Sequence, residues 1–114
     1  MITGMHAMMY SPKAEAVRAF FRDVLEFPHV DAGHGWLIFK APPAEMAAHP
    51  SESGQSHWDL SLMCDDLEKT LDELREKGVV CGPVKDLGWG RASTLQLPDG
   101  YELMIYQPAY PTAI

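Results

Sequence analysis

The chain has 114 residues, which is long enough for one domain with a single hydrophobic core. A content of 46% hydrophobic and 22% charged residues excludes a disordered or fibrous protein. A formal net charge of -7, with scattered Lys and Arg, argues against a nucleic-acid-binding surface.

Targeting signals and cysteines give the expected location. The N-terminal residues lack the basic segment and following apolar stretch of a signal peptide, so we expect none. No apolar run approaches the length of a membrane span, so we expect no membrane partner. Cys64 and Cys81 lack a CxxC spacing, which favours reduced core thiols over a disulfide or zinc site. We therefore expect a cytoplasmic protein.

The first part of the chain predicts a strand and then a helix. Residues 1–10 form the strand, with His6, Met8 and Tyr10 on one face. The pair Ser11 and Pro12 is typical of a helix start, and the helix ends before Pro28. Its apolar stripe consists of Ala14, Val17, Phe20, Phe21, Val24 and Leu25.

Three short strands and a linker are predicted next. The strands cover residues 29–31, 36–41 and 44–49, and turn-forming glycines and prolines separate them. Residues 50–56 are the one segment with the composition of a linker.

The order of elements then repeats. We predict a strand over 57–64 and a helix capped by Asp65, with Glu68 as the reciprocal partner. Leu67, Leu71 and Leu74 form the helix stripe, and Gly78 ends the helix. Strands follow over 79–81 or 79–84, 91–97 and 101–107, with a turn at 98–100.

The repeated order of one strand, one helix and three strands indicates two structural modules. Module one covers about residues 1–50, the linker covers 50–56, and module two covers about 57–110. We therefore predict a single α+β domain over residues 1–114.

Three stretches of the chain match motifs of a known family: GMHAMMYSPKAEAVRAFFRDVLEF, LMCDDLEKTLDELREKGV and LPDGYELMIYQP. They resemble the vicinal oxygen chelate superfamily, also known as the glyoxalase/bleomycin resistance/dioxygenase superfamily. In the first, Phe20-Phe21 and Leu25-Glu26 take the places of an FY-x-x-x-LG pattern. The resemblance implies two βαβββ modules whose sheets form a cupped, incomplete barrel around one cavity. Metal-dependent members carry a His or Gln on a module's first strand and a Glu on its last.

Four residues are candidates for three of those metal-ligand positions. The resemblance therefore implies one divalent metal ion as the candidate cofactor. His6 lies at the first-strand position, and Glu45 lies near the last-strand position of module one. Asp59, or His57 two residues earlier, lies at the first-strand position of module two. A surface role stays open for each of them, as it does for His49 on the face of Glu45.

Met104 departs from the family pattern. By its distance from the turn at 98–100, it takes the place of the Glu in metal-dependent members. A thioether is a poor ligand for hard divalent metals and contributes no charge. The departure argues against the usual four-ligand site.

Strand alternation predicts a ligand pocket. It places His57, Asp59, Ser61 and Met63 on one face, and Trp58, Leu60, Leu62 and Cys64 on the core side. A Met-rich core remains the alternative. In the loop 88–91, an aromatic and a cationic side chain are candidates for ligand contact. The predicted pocket residues are Met8, Tyr10, His57, Asp59, Met63, Trp89, Arg91, Met104 and Tyr106.

Three functions remain open. The first is a small-molecule-binding protein of the bleomycin-resistance type, without metal. The second is a metal-dependent lyase or isomerase like glyoxalase I, or a dioxygenase, and the third is a structural role. The sequence identifies neither the ligand nor whether the protein is catalytic.

We also expect a homodimer. Open sheets leave strand edges that proteins usually cover, and one-domain members of the resembled family commonly dimerise. Exchange of modules between the two chains would place His6 of one chain opposite Asp59 of the other. The candidate contact residues are the aromatics Trp36, Trp89 and Tyr110.

Overall fold

The computed structural model describes Met1 and residues 3–114. In the first half, helix α1 spans Ala14–Asp23, and strands β1 (His29–Asp31) and β2 (Leu37–Phe39) follow it. The two strands pair antiparallel, with Val30 opposite Ile38. The carboxylate of Asp31 accepts a hydrogen bond of 2.7 Å from the amide of Gly33, which stabilises the turn between them.

The second half forms a larger sheet. It contains β3 (Ser61–Met63), helix α2 (Leu67–Glu76), β4 (Lys85–Asp86), β5 (Gly90–Gln96) and β6 (Glu102–Pro108). The strand order is β3-β6-β5-β4, with β3 parallel to β6 and the other pairs antiparallel. Two helices and two sheets that do not close into a barrel confirm the predicted α+β class.

Both helices bury their apolar stripes against one side of the larger sheet. Val17 and Phe20 of α1 join the three α2 leucines in one hydrophobic cluster. Since Leu67 and Leu71 are fully buried, α2 contributes most to this core. The remaining buried members of the cluster are Val79, Leu95, Leu97, Leu103 and Ile105.

The ends of the helices differ from the prediction in detail. The N-cap of α2 is Asp66 rather than Asp65, and its carboxylate accepts a hydrogen bond of 3.1 Å from the amide of Lys69. Glu68 makes no capping box, because Arg91 binds its carboxylate. Gly78 follows α2 with a φ of 84°, as expected for a glycine just beyond the end of a helix. Helix α1 begins after Lys13, which makes no side-chain cap.

Several predicted strands are absent from the described part of the chain. Residues 3–10, 44–49 and 57–60 form no strand, and Ile2 lies outside the described residues. Trp58 and Leu60, predicted to lie in the core, are 82% and 55% exposed. The physical reason is the lack of a partner strand, because a strand persists only when its backbone groups are paired.

The remaining elements follow the prediction with small shifts. Cys81 makes only an isolated bridge with Leu95, and the next strand is β4. The predicted turn at 98–100 is confirmed by a hydrogen bond of 2.9 Å from the amide of Gly100 to the carbonyl of Leu97. Neither helix in residues 3–114 is long and apolar enough to cross a membrane.

Candidate functional site

The side of the larger sheet that faces away from the helices is the candidate site. Along β6, Leu103 and Ile105 point into the core and are each 3% exposed. Met104 and Tyr106 therefore project from the opposite side, because side chains alternate along a strand. Register partners place further residues beside them. We call this surface the open face: Ser61, Met63, Ala92, Thr94, Met104 and Tyr106.

The open face combines apolar surface with a few hydroxyl groups. Met63 lies opposite Tyr106, and Met104 lies between Ser61 and Thr94 on the neighbouring strands. The indole of Trp89 contacts the ring of Tyr106 edge-on, with centroids 5.1 Å apart at an angle of 81°. Flexible thioethers beside rigid aromatic rings suit the binding of an organic molecule of irregular shape.

Glu45 reaches the edge of the open face and accepts several hydrogen bonds there. The hydroxyl of Tyr110 and, at 3.5 Å, that of Tyr106 donate to one carboxylate oxygen. The amide of Ala113 donates to the other oxygen at 3.0 Å. The two tyrosine hydroxyls also lie 2.8 Å apart.

These contacts shift two pKa values. The Tyr110 hydroxyl, followed by the Ala113 amide, lowers the pKa of the Glu45 carboxyl, because both stabilise its charged form. The same hydrogen bond raises the pKa of Tyr110 well above its ordinary value, since ionisation would place two negative charges together. Glu45 is therefore a carboxylate whose hydrogen-bond partners come from β6 and the residues after it.

The four candidate metal ligands are not brought together within one chain. His57 and Asp59 lie near each other, with Nε2 and Oδ1 3.7 Å apart, but their side chains are 66% and 87% exposed. His6 is exposed, and Glu45 is engaged with the tyrosines. Across Met1 and residues 3–114, no three His, Cys, Asp or Glu side chains are arranged to hold a metal ion.

The nine predicted pocket residues lie in three places. Met63, Met104 and Tyr106 share the open face, and Trp89 lies beside them. Met8, Tyr10, His57 and Asp59 are exposed and belong to no strand. Arg91 lies apart from both groups. It lies on the helix side of β5, opposite Gln107, and its guanidinium Nη2 binds Glu68 Oε1 at 2.6 Å.

The sequence alone does not identify Tyr110 as a hydrogen-bond partner of Glu45. Tyr110 stands four residues after Tyr106, but no local pattern connects Glu45 to a tyrosine 65 positions later. Only the folded chain brings these residues together.

Two surface clefts lie away from the open face. The larger, of about 500 Å³, runs between α1 and the turns that follow α2 and β5. Apolar surface comes from Phe20, Val24, Val79 and Leu97, and charged side chains come from Lys13, Lys77 and Asp99. The smaller, of about 290 Å³, lies between α1 and the β1–β2 hairpin. Neither is lined by a predicted pocket residue.

Comparison with known proteins identifies relatives of this fold. Residues 5–105 match the family model of the Glyoxalase/Bleomycin resistance protein/Dioxygenase superfamily. No curated protein matches the chain significantly.

Solved structures of low sequence identity share the fold. One is TnmS3, an antibiotic binding protein from Streptomyces sp. CB03234. It has a TM-score of 0.64 and 23% identity, and the match covers 96% of this chain and 100% of that one. Another is lactoylglutathione lyase from Agrobacterium tumefaciens. Its TM-score is 0.66 at 14% identity, with 92% of each chain covered.

Proposed function

Because the chain belongs to the glyoxalase/bleomycin resistance protein/dioxygenase superfamily, we propose that it binds a small organic molecule on the open face, without a metal ion. The observation that supports this most is Met104. It lies on the open face between Ser61 and Thr94, at the position where the family resemblance expects a metal-binding Glu. A thioether there offers an apolar contact instead of a ligand charge.

The open face supplies the contacts that such a ligand needs. Met63, Met104 and the ring of Tyr106 provide apolar surface, and Trp89 extends it by one aromatic ring. The hydroxyls of Ser61 and Thr94 are placed to orient a polar group of the ligand. An antibiotic-binding protein among the similar structures supports this proposal.

The alternative function is a metal-dependent lyase, isomerase or dioxygenase that uses His6, Glu45 and either Asp59 or His57. It would require Glu45 to exchange its contacts with Tyr106, Tyr110 and Ala113 for a metal ion. It would also require His6 and Asp59 to move from their exposed positions towards Glu45. The metal-free function needs neither change.

We further propose that two copies of the chain form a homodimer. Residues 3–10 and 41–60 contain no helix or strand, and they expose large apolar side chains. A strand from a second copy would pair their backbones and would extend β3 towards His57 and Asp59. The side chains that the partner would cover are Met5, Met8, Tyr10, Met46, Trp58 and Leu60.

The proposal includes a cytoplasmic location. Cys64 and Cys81 are both free thiols, which suits a reducing compartment. Burial raises the pKa of both thiols.

A dye-binding experiment tests the metal-free site. Chelator-treated protein is titrated with the apolar fluorescent dye 8-anilinonaphthalene-1-sulfonate, and the emission of the dye is followed. We expect saturable binding that Met104→Asp weakens about tenfold or more, because it places a negative charge on the apolar surface that binds the anionic dye. Val30→Asp is the matched control, since Val30 is 64% exposed on β1. Binding that requires added Mn²⁺ or Zn²⁺, or that Met104→Asp leaves unchanged, would contradict the proposal.

A further inference from the structure

The residues after β6 form a short segment that is fixed at three points. We call residues 109–114 the C-terminal strap. The amide of Ala109 donates to the carbonyl of Trp89 at 2.8 Å, so the strap begins beside the aromatic end of the open face. Tyr110 and Ala113 then donate to the two carboxylate oxygens of Glu45. A six-residue segment without helix or strand is thereby held in one position.

The strap also fixes the long segment that contains Glu45. We call residues 41–60 the central segment; it contains no helix or strand. Within the described part of the chain, Glu45 makes the only side-chain hydrogen bonds that connect this segment to other residues. The other side-chain hydrogen bonds of the central segment, among residues 49–55, stay inside it. Between its two ends, the central segment is therefore held to the C-terminal strap by one carboxylate and its donors.

The contact lies at one end of the open face. The hydroxyl of Tyr106, an open-face residue, lies 2.8 Å from that of Tyr110. Met63 is the register partner of Tyr106 on β3, so it is the thioether nearest to this contact along the sheet. A ligand that hydrogen-bonds to the Tyr106 hydroxyl must compete with the Tyr110 hydroxyl of the strap.

We propose that the C-terminal strap and Glu45 form a latch that covers the Tyr106 end of the open face and opens to admit a ligand. The role in ligand entry rests on the proposed function, whereas the latch itself is a property of the free protein. The apparent affinity of the open face is then its intrinsic affinity multiplied by the fraction of molecules in which the latch is open. Variants that open it should expose Met63 and accelerate ligand entry.

Methionine oxidation tests the latch without any ligand. The wild type, Tyr110→Phe and Glu45→Gln are treated with hydrogen peroxide, and the oxidation rate of each methionine is measured by peptide mass spectrometry. Tyr110→Phe removes the hydroxyl that donates to Glu45 and keeps the ring. Loss of a hydrogen bond to a charged group should increase opening about tenfold, so we expect Met63 to oxidise about five to ten times faster in both variants.

Two controls make the result specific. Tyr101→Phe removes the hydroxyl of a tyrosine that is 53% exposed, at the turn before β6, and should leave Met63 oxidation unchanged. Met1 is fully exposed, lies outside the proposed dimer contact and serves as an internal reference in every sample. Unchanged Met63 oxidation in both latch variants would overturn the proposal. Faster Met63 oxidation would also overturn the proposal if the free energy of unfolding, measured with urea, fell by the amount that corresponds to the increase. Global unfolding would then explain the faster oxidation.

The outcome separates the latch from the proposed function. Failure of the dye to bind the chelated protein would reject ligand binding at the open face and would leave the oxidation result standing. When the dye does bind, stopped-flow mixing should show faster association with Tyr110→Phe than with Tyr101→Phe. Equal association rates would contradict the role of the latch in ligand entry.

Discussion

The two halves of the chain carry the same order of predicted elements but differ in how much of it they form. The second half builds a four-stranded sheet against α2, and Leu67, Leu71 and Leu95 are fully buried there. The first half forms α1 and one two-stranded hairpin, and the segments on either side contain no helix or strand. The same hydrophobic pattern therefore forms a larger sheet only where partner strands and a covering helix are present.

The difference lies in the partners rather than in local propensity. α1 contributes Val17 and Phe20 to the core of the second half, so the two halves share one hydrophobic cluster. The segments on either side of α1 and the hairpin keep large apolar side chains exposed. In the proposed homodimer, a second copy of the chain would cover these side chains.

The largest contrast should appear in core truncations. Leu71→Ala removes a side chain that is fully buried between α2 and the sheet, and should lower the free energy of unfolding by about 3 kcal/mol. Val30→Ala, in the hairpin of the first half, should change it by less than about 0.5 kcal/mol. Urea denaturation measures both. Equal losses would mean that the hairpin belongs to the core.

A charge at an exposed apolar position should separate the dimer. Leu60→Lys places a charge in the central segment where the proposed partner chain packs, and should weaken dimerisation about tenfold or more. Val80→Lys is the matched control in the second half, because Val80 is 64% exposed and Leu60 is 55% exposed. Sedimentation velocity at micromolar concentration should show twice the 12.7 kDa chain mass for the wild type and the control. A wild-type monomer under these conditions would rule the dimer out.

The helix caps should show a smaller contrast. Asp66→Ala removes the carboxylate that accepts from Lys69, and should destabilise the protein by about 1 kcal/mol. Lys13→Ala at the start of α1 should have almost no effect, because Lys13 makes no side-chain cap. Thermal unfolding of the two variants measures the difference. A loss of stability in Lys13→Ala equal to that in Asp66→Ala would contradict the prediction.

The smallest effect should be a pH dependence where the two halves meet. Asp99, at the turn between β5 and β6, accepts a hydrogen bond of 2.5 Å from Ser11, just before α1. That bond, followed by the Tyr101 amide, lowers the pKa of Asp99. Its stabilising contribution is therefore full above the ordinary Asp pKa and is lost as the pH falls through the lowered value.

Ser11→Ala tests this pH dependence. The difference in melting temperature between wild type and variant should shrink as the pH falls from about 6 to about 2. A difference that stays constant over this range would mean that Asp99 does not carry the effect.

The fold was predictable where the signal is local. The leucine spacing of α2, Gly78 after it and the turn at 98–100 all depend on neighbouring residues. Alternation along β6 likewise placed Met104 and Tyr106 on one face. The resemblance supplied the family, which the match over residues 5–105 confirms.

The remaining features depend on distant partners. Residues 3–10 and 57–60 alternate like strands, yet alternation cannot tell whether a neighbouring strand exists. The side of the sheet on which Arg91 lies depends on its register with β6 and on its partner Glu68, 23 positions away. The contact between Glu45 and Tyr110 has no local signal at all. The module boundaries stay a prediction.

Metal content and ligand affinity, measured on the same tag-free sample, test the central claim most directly. Elemental analysis by inductively coupled plasma mass spectrometry should find far less than one divalent ion per chain. The dissociation constant for 8-anilinonaphthalene-1-sulfonate should be equal before and after chelation, because the proposed site at Met104 and Tyr106 requires no ion. A stoichiometric ion whose removal abolishes binding would contradict the account.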